Sequence, residues 1–206
     1  VILPGDPAPT FHQRSTSNEK YAFDTAAGRY LVLCFYGSAA DVWGRKMLTL
    51  VMEHRGMFDD ERFAFFGVSH DSRDETQGRV KELLPGVRFF WDFDGLIGRL
   101  YGSLPQDTPV QQVTKMRQMW VVLDPNLRVR EVIGGKDAFD IPAVAARLAA
   151  LPPVDQAIGI TVQAPVLHLP RVFEPELCAQ LIEFYERHGG EDSGFMTEKE
   201  GLTTLK

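Results

Sequence analysis

Cysteine is nearly absent from this sequence: Cys34 and Cys178 are its two examples in 206 residues. A disulfide framework needs more cysteines, and a structural zinc site needs closely spaced Cys or His ligands, so both are excluded. Sparse, unpaired thiols fit a reducing compartment, and a cytoplasmic location is expected. Long apolar runs are also lacking. Stretches such as Tyr30 to Tyr36 fall far short of the ~20 residues a membrane helix requires, and no signal-peptide pattern is present. A basic surplus is missing too, with 22 Lys and Arg against 28 Asp and Glu, a net charge of −6. No stretch gathers Lys and Arg on one face, so neither nucleic acid nor an anionic membrane is expected as a partner. There is no internal repeat.

The remainder is the composition of a globular protein, 44% hydrophobic and 24% charged, long enough for one domain of about 100–150 residues and a further segment. Leu31 to Tyr36 is a continuous apolar run, the mark of a strand buried on both faces. Val42 to Met57 carries Trp43, Met47, Leu50 or Val51, His54 and Phe58 at helical spacing. Phe63 to Ser69 and Val87 to Trp91 read as strands. Between them Ser72-Arg73-Asp74-Glu75 has the form of a capping box opening a helix to about Leu84. Asp94-Gly95 turns the chain into a helix ending near Tyr101-Gly102. Met116 to Leu123 and Arg128 to Gly134 are expected as strands joined by Asp124-Pro125-Asn126, a turn signal. Ile141 to Leu151 is an amphipathic closing helix.

The order βαβαβαββα predicts an α/β domain with a central mixed sheet and helices on both faces, a thioredoxin-like fold. Residues 1–151 form this expected domain, and 152–164, opened by Pro152-Pro153, an irregular linker. Residues 165–206 begin a second domain with a strand at Pro165 to Pro170 and a helix from Glu174-Pro175 to His188-Gly189-Gly190. The polar tail from Glu191 is expected to be the least ordered part. Val1 rather than methionine opens the chain, so the native start is expected to lie upstream or to have been trimmed.

Five segments resemble the peroxiredoxin family in the right order: Gly5-Asp6-Pro7-Ala8-Pro9-Thr10-Phe11 as an opening strand and turn, Tyr30 to Tyr36, Val68-Ser69-His70-Asp71-Ser72, Trp91-Asp92-Phe93-Asp94-Gly95, and Trp120-Val121-Val122-Leu123-Asp124-Pro125. The resemblance implies a redoxin scaffold. In that family a Pro, a Thr and a reactive Cys follow the central strand. The Cys sits in the first helical turn, where the helix dipole and a nearby Arg lower its pKa. Here Gly37 takes the place of the Pro, Asp41 of the Thr and Gly44 of the Cys, while Arg117 matches the Arg. Asp41, Gly44 and Arg117 are thus expected to mark a degenerate redoxin pocket lacking its nucleophile. Cys34, inside the buried strand, reads as core packing, and Cys178 as a small hydrophobe. The alternative is a thiol-dependent antioxidant oxidoreductase using an unrecognised cysteine.

Pro165 to Lys206 resembles the entry to iron(II)- and 2-oxoglutarate-dependent oxygenases of the prolyl-hydroxylase type. Pro165-Val166-Leu167-His168-Leu169-Pro170, Phe173-Glu174-Pro175-Glu176-Leu177-Cys178 and Gly189 to Phe195 carry that likeness. It implies a larger fusion protein in which Fe(II) and 2-oxoglutarate belong to the full-length parent and none to this chain. The family's iron is held by a His-x-Asp pair and a distant His, and this sequence has no His-x-Asp. Expected partners are the remainder of an oxygenase domain and a protein or small-molecule substrate. In the parent the oxygenase barrel would cover the apolar residues Leu181, Ile182 and Tyr185.

Two acidic groups have competing readings. His70, Asp71, Asp74 and Glu75 suggest a metal or a capped helix start. Asp92-x-Asp94-Gly95 resembles a calcium loop without its later acidic ligand, or a turn. The pocket at Gly44 has three: a vestige, an anion site at a helix N-terminus, or part of a docking module, which an exposed apolar patch at Trp43 would favour.

Overall fold

The computed structural model describes residues 2–106, 116–157, 172–190, 196–199 and 202–205. The chain divides into two compact units, Val1–Val162 and Gln163–Lys206.

In the first unit the apolar run becomes β3 (Tyr30–Gly37), buried throughout. Successive side chains point to opposite faces of a strand, so a run without polar residues demands cover on both. Tyr30, Val32, Cys34 and Tyr36 share one core with Met47, Leu50 and Val51 of α1 (Val42–Glu53) and with Ile141, Val144 and Leu148 of α4 (Ile141–Ala149). Leu31, Leu33 and Phe35 share the opposite core with Phe11, Phe23 and the α3 residues Ile97 and Tyr101, α3 being Leu96–Tyr101. Helices therefore cover both faces of the sheet.

Four further strands complete that sheet: β4 (Phe63–Ser69), β5 (Val87–Trp91), β6 (Met119–Leu123) and β7 (Val129–Gly134), in the order β5-β4-β3-β6-β7. β3, β4 and β5 run parallel, while β6 and β7 pair antiparallel. The β6–β7 turn lies at Asp124-Pro125-Asn126, where the Asp124 carboxylate accepts from the amides of Asn126 and Arg128, both at 2.9 Å. The buried Trp120 indole donates to the Ala138 carbonyl at 2.8 Å, so its one polar group is satisfied.

Several expectations are corrected. The helix expected from Ser72 to Leu84 is only α2 (Ser72–Thr76). Its cap is Asp71, which accepts from the Arg73 amide, and Glu75 pairs with Arg14 instead of closing a capping box. The chain then turns at Gly78, whose φ of 60° ends any right-handed helix. The opening strand expected at Gly5 to Phe11 is absent; Pro7 makes an isolated bridge to Arg128. A small hairpin, β1 (His12–Gln13) with β2 (Tyr21–Ala22), follows it. Beyond Pro152-Pro153 the chain forms a 3-10 turn over Val154–Gln156, and Ala157 joins the core of the first unit.

In the second unit α5 (Pro175–His188) begins on a proline at its first turn, as the sequence predicts. The expected strand at Pro165 to Pro170 and the loop Glu191 to Phe195 lie outside the described residues. In the polar tail β8 (Met196–Lys199) and β9 (Leu202–Leu205) pair as an antiparallel hairpin. Thr197, Thr203 and Thr204 supply β-branched residues that favour extended backbone. The two-residue separation of these strands is a hairpin spacing that the tail's polarity concealed.

Candidate functional site

The link from β3 to α1 begins at Gly37, where the strand register shifts. Its φ is +86°, and an added Cβ would lie 2.4 Å from the Met116 sulfur. Proline fixes φ near −65°, so this backbone excludes the residue that the peroxiredoxin pattern carries here.

Ser38 then ties the link to the β4–α2 corner. Its hydroxyl donates to Asp71 at 2.8 Å and accepts from the Ala40 amide at 3.1 Å. The Ala39 amide donates to the buried carboxylate of Asp74 at 2.9 Å. Asp41 caps α1, one oxygen accepting from the Trp43 amide at 3.2 Å. Its other oxygen accepts from the Gln118 amide nitrogen at 3.3 Å, and the same nitrogen reaches the Tyr36 carbonyl at 2.9 Å. Asp41 thus supplies the helix terminus with its anion from within the chain.

Gly44, in the first turn of α1, is buried against this link. A Cβ there would stand 2.2 Å from the Ser38 carbonyl oxygen and 3.0 Å from that of Tyr36. Both obstacles are backbone atoms, and rotamer change cannot relieve them.

Arg117 precedes β6 and is exposed. Its amide donates to the Ser103 carbonyl at 2.8 Å, and its guanidinium lies along Gly134, 3.2 Å from where a Cβ would be. Asp41 and Gly44 are brought together in one helical turn. The contact from the β6 approach to Asp41 comes from Gln118, which the sequence reading did not single out. Trp43 is half exposed and packs on Phe139 with ring centroids 4.7 Å apart.

Cys34 is fully buried, and burial pushes its thiol well above the ordinary range. Cys178, in α5, is partly exposed.

Protein donors absorb the acidic groups. Asp71 takes Arg73, Arg79 and Ser38, and the Arg73 hydrogen bond leads the forces holding its carboxyl well below the usual range. Asp74 takes Ala39, Ser69 and Arg79. Asp92 accepts from the α3 amides of Ile97 and Gly98 at 2.8 and 2.7 Å, and Asp94 accepts from Leu96. Burial nevertheless pushes Asp92 up to about 7. His70 lies 3.2 Å from the Asp92 carboxylate, and burial lowers its pKa. These groups serve as caps and braces. No group of three or more His, Cys, Asp or Glu side chains suited to a metal occurs among the described residues. His188, the one histidine of α5, packs on Phe184 and bonds its carbonyl. The described residues do not fit an iron site.

A mixed sheet with a central parallel strand, an antiparallel β6–β7 edge and helices on both faces defines a thioredoxin-like redoxin scaffold. The AhpC/TSA family profile matches residues 4–132, and the chain belongs to that family.

Solved structures show the same fold. Peroxidoxin BcpB from Mycobacterium tuberculosis is 17% identical with a TM-score of 0.59, over 74% of this chain and 99% of that one. The bacterioferritin comigratory protein of Xanthomonas campestris, described for its alkyl peroxide reduction activity, is 22% identical with a TM-score of 0.53, over 73% and 97%. The mitochondrial 2-Cys peroxiredoxin from Plasmodium falciparum is 16% identical with a TM-score of 0.57, over 78% and 100%. A search of curated proteins finds no match. No described helix is long and apolar enough to cross a membrane.

Proposed function

We propose that this chain is a redoxin module without cysteine-based peroxidase chemistry, acting in binding or docking. The observation that carries the reading is the packing at Gly44. The position aligned with the family's nucleophile holds a residue with no side chain, and the backbone of Ser38 occupies the space that a thiol would need. The Asp41 carboxylate at the same helix terminus opposes thiolate formation. The degenerate pocket is accordingly read as Asp41, Gly44 and Arg117. Cys34 offers no substitute, because its thiol is buried and its thiolate disfavoured.

The second part of the proposal concerns residues 165–206, read as the start of a 2-oxoglutarate oxygenase-like domain whose iron ligands lie elsewhere. Its support is the separate second unit and an α5 on which Leu181, Ile182, Phe184 and Tyr185 are each more than half exposed. A cytoplasmic setting is part of the same reading.

Stopped-flow measurement of hydrogen peroxide consumption with a dithiol reductant tests the first part, with no turnover above the uncatalysed rate expected. The second reading, a thiol-dependent antioxidant enzyme, has one observation in its favour: Cys178 is partly exposed. Rapid consumption that disappears in Cys178→Ser would establish that reading and end the first.

A further inference from the structure

A trough of about 600 Å³ lies between one flank of α1, the segment Gly78–Leu83 and β5. That volume falls in the range of small-molecule sites. None of Gly37, Asp41, Gly44 and Arg117 lines it, so a ligand held there would be independent of the proposed function.

Its walls are apolar: Leu48, Val51 and Met52 come from α1, Val80 and Leu83 from the opposite segment, and Phe89 from β5. Met52 is 72% exposed and Leu83 37%, so apolar surface is open to solvent along the trough. The charged side chains that line it are all of one sign. Arg45, Arg79 and Lys81 line the trough, and no Asp or Glu does. This occurs in a chain with a net charge of −6. The groove on the other side of Thr49 has no such bias, for there Lys46 and Lys136 are balanced by Glu53 and Asp140.

The three cations are not equally available. Arg79 is held by Asp71 and Asp74. Arg45 bonds only the Ala40 carbonyl, and neither it nor Lys81 has a carboxylate partner among the described residues. Two cations without counter-charges beside open apolar walls form a site with one polar demand and one apolar demand. A group that meets both must be anionic at one end and hydrocarbon along the rest.

We propose that this trough binds a small organic carboxylate with an apolar body. Arg45 and Lys81 receive the carboxylate by charge-assisted hydrogen bonds, and the body lies on Leu48, Met52, Val80 and Leu83, removing their surface from water. The apolar contacts supply affinity and the cations select the sign of the head group.

The test uses the full chain and dodecanoate as the probe, followed by calorimetry and by amide chemical shifts. Saturable one-to-one binding is expected, with the shifts concentrated at Leu48, Val80 and Leu83. Dodecyltrimethylammonium, with the same tail and the opposite head, should bind at least about tenfold more weakly. So should dodecanoate to the Arg45→Glu, Lys81→Glu double variant, because a hydrogen bond to a charged group is worth about that factor or more. Both substituted side chains are exposed, and near-ultraviolet circular dichroism checks that the fold survives. Equal binding of the two head groups by the unmodified chain would refute the proposal whatever the variant does. So would shifts centred elsewhere, or no saturable binding up to about 1 mM probe.

Discussion

Helix propensity and packing make opposite predictions for Gly44→Ala. Glycine within a helix is less favourable than alanine by roughly 1 kcal/mol, so propensity alone predicts that the substitution stabilises the chain. Packing predicts the reverse. The new Cβ would stand 2.2 Å from the Ser38 carbonyl oxygen, well inside the 3.4–4 Å of ordinary contact, and 3.0 Å from that of Tyr36. The Ser38 carbonyl also accepts from the Asp41 amide at 3.2 Å, so retreat of Ser38 disturbs the turn that presents the α1 cap. Overpacking against atoms that cannot rotate away costs about 3 kcal/mol here, more than propensity returns. The net loss of about 2 kcal/mol lowers Tm by about 4–8 °C in a unit of this size. Thermal unfolding of the wild type, Gly44→Ala and Gly44→Cys measures it directly. Both variants should be destabilised, Gly44→Cys at least as much, and Gly44→Cys should not gain peroxide turnover. An alanine variant as stable as the wild type or more so would refute the packing argument, and with it the observation that supports the proposed function.

Two other substitutions probe the same scaffold. Asp41→Ala removes the α1 cap and should cost about 1 kcal/mol, whereas Asp41→Ser should keep most of it; equal chemical-denaturation midpoints for the two would show that the cap contributes nothing. Asp60 makes a two-pronged pair with Arg88 at 2.8 Å, and the Arg88 hydrogen bond lowers its pKa. A carboxyl whose folded pKa lies below its unfolded value of about 3.9 adds stability above that value and loses it as pH falls through the folded one. Asp60→Asn should therefore destabilise by about 1 kcal/mol at pH 7 and converge with the wild type as acidification protonates the folded-state carboxyl. Asn tolerates the left-handed backbone that Asp60 adopts, at φ 65°, so the substitution adds no backbone strain. A difference that persists unchanged at low pH would show another cause.

The sheet was legible because its strands are extreme. Leu31 to Tyr36 and Phe63 to Ser69 hold no charge, and only two-sided cover accommodates that. The short α2 was not legible, because the capping-box pattern at Ser72 to Glu75 is matched equally by a cap one residue earlier. Asp71 wins since it also engages Arg73, Arg79 and Ser38. At the site, the resemblance read Gly37 and Gly44 as departures from a family pattern. What it lacked was their cause, because a positive φ at one and a carbonyl under the other are properties of backbone placement. Gln118 left no signal at all: an exposed-looking amide before a strand is ordinary, and its bonds to Tyr36 and Asp41 exist only once β6 lies beside β3.

The position of β6 governs the birth of the protein as well as its final form. β3 is flanked by β4, made soon after it, and by β6, made much later. While ribosomal synthesis proceeds, the edge of β3 from Leu31 to Phe35 waits unpaired until Met119 to Leu123 emerge. An unpaired, wholly apolar strand edge is a template for wrong partners, and closing it over so long an intervening chain is slow. The interval between these two strands is therefore when the nascent chain is most exposed to aggregation, and any truncation falling within it leaves the central strand permanently open on one side.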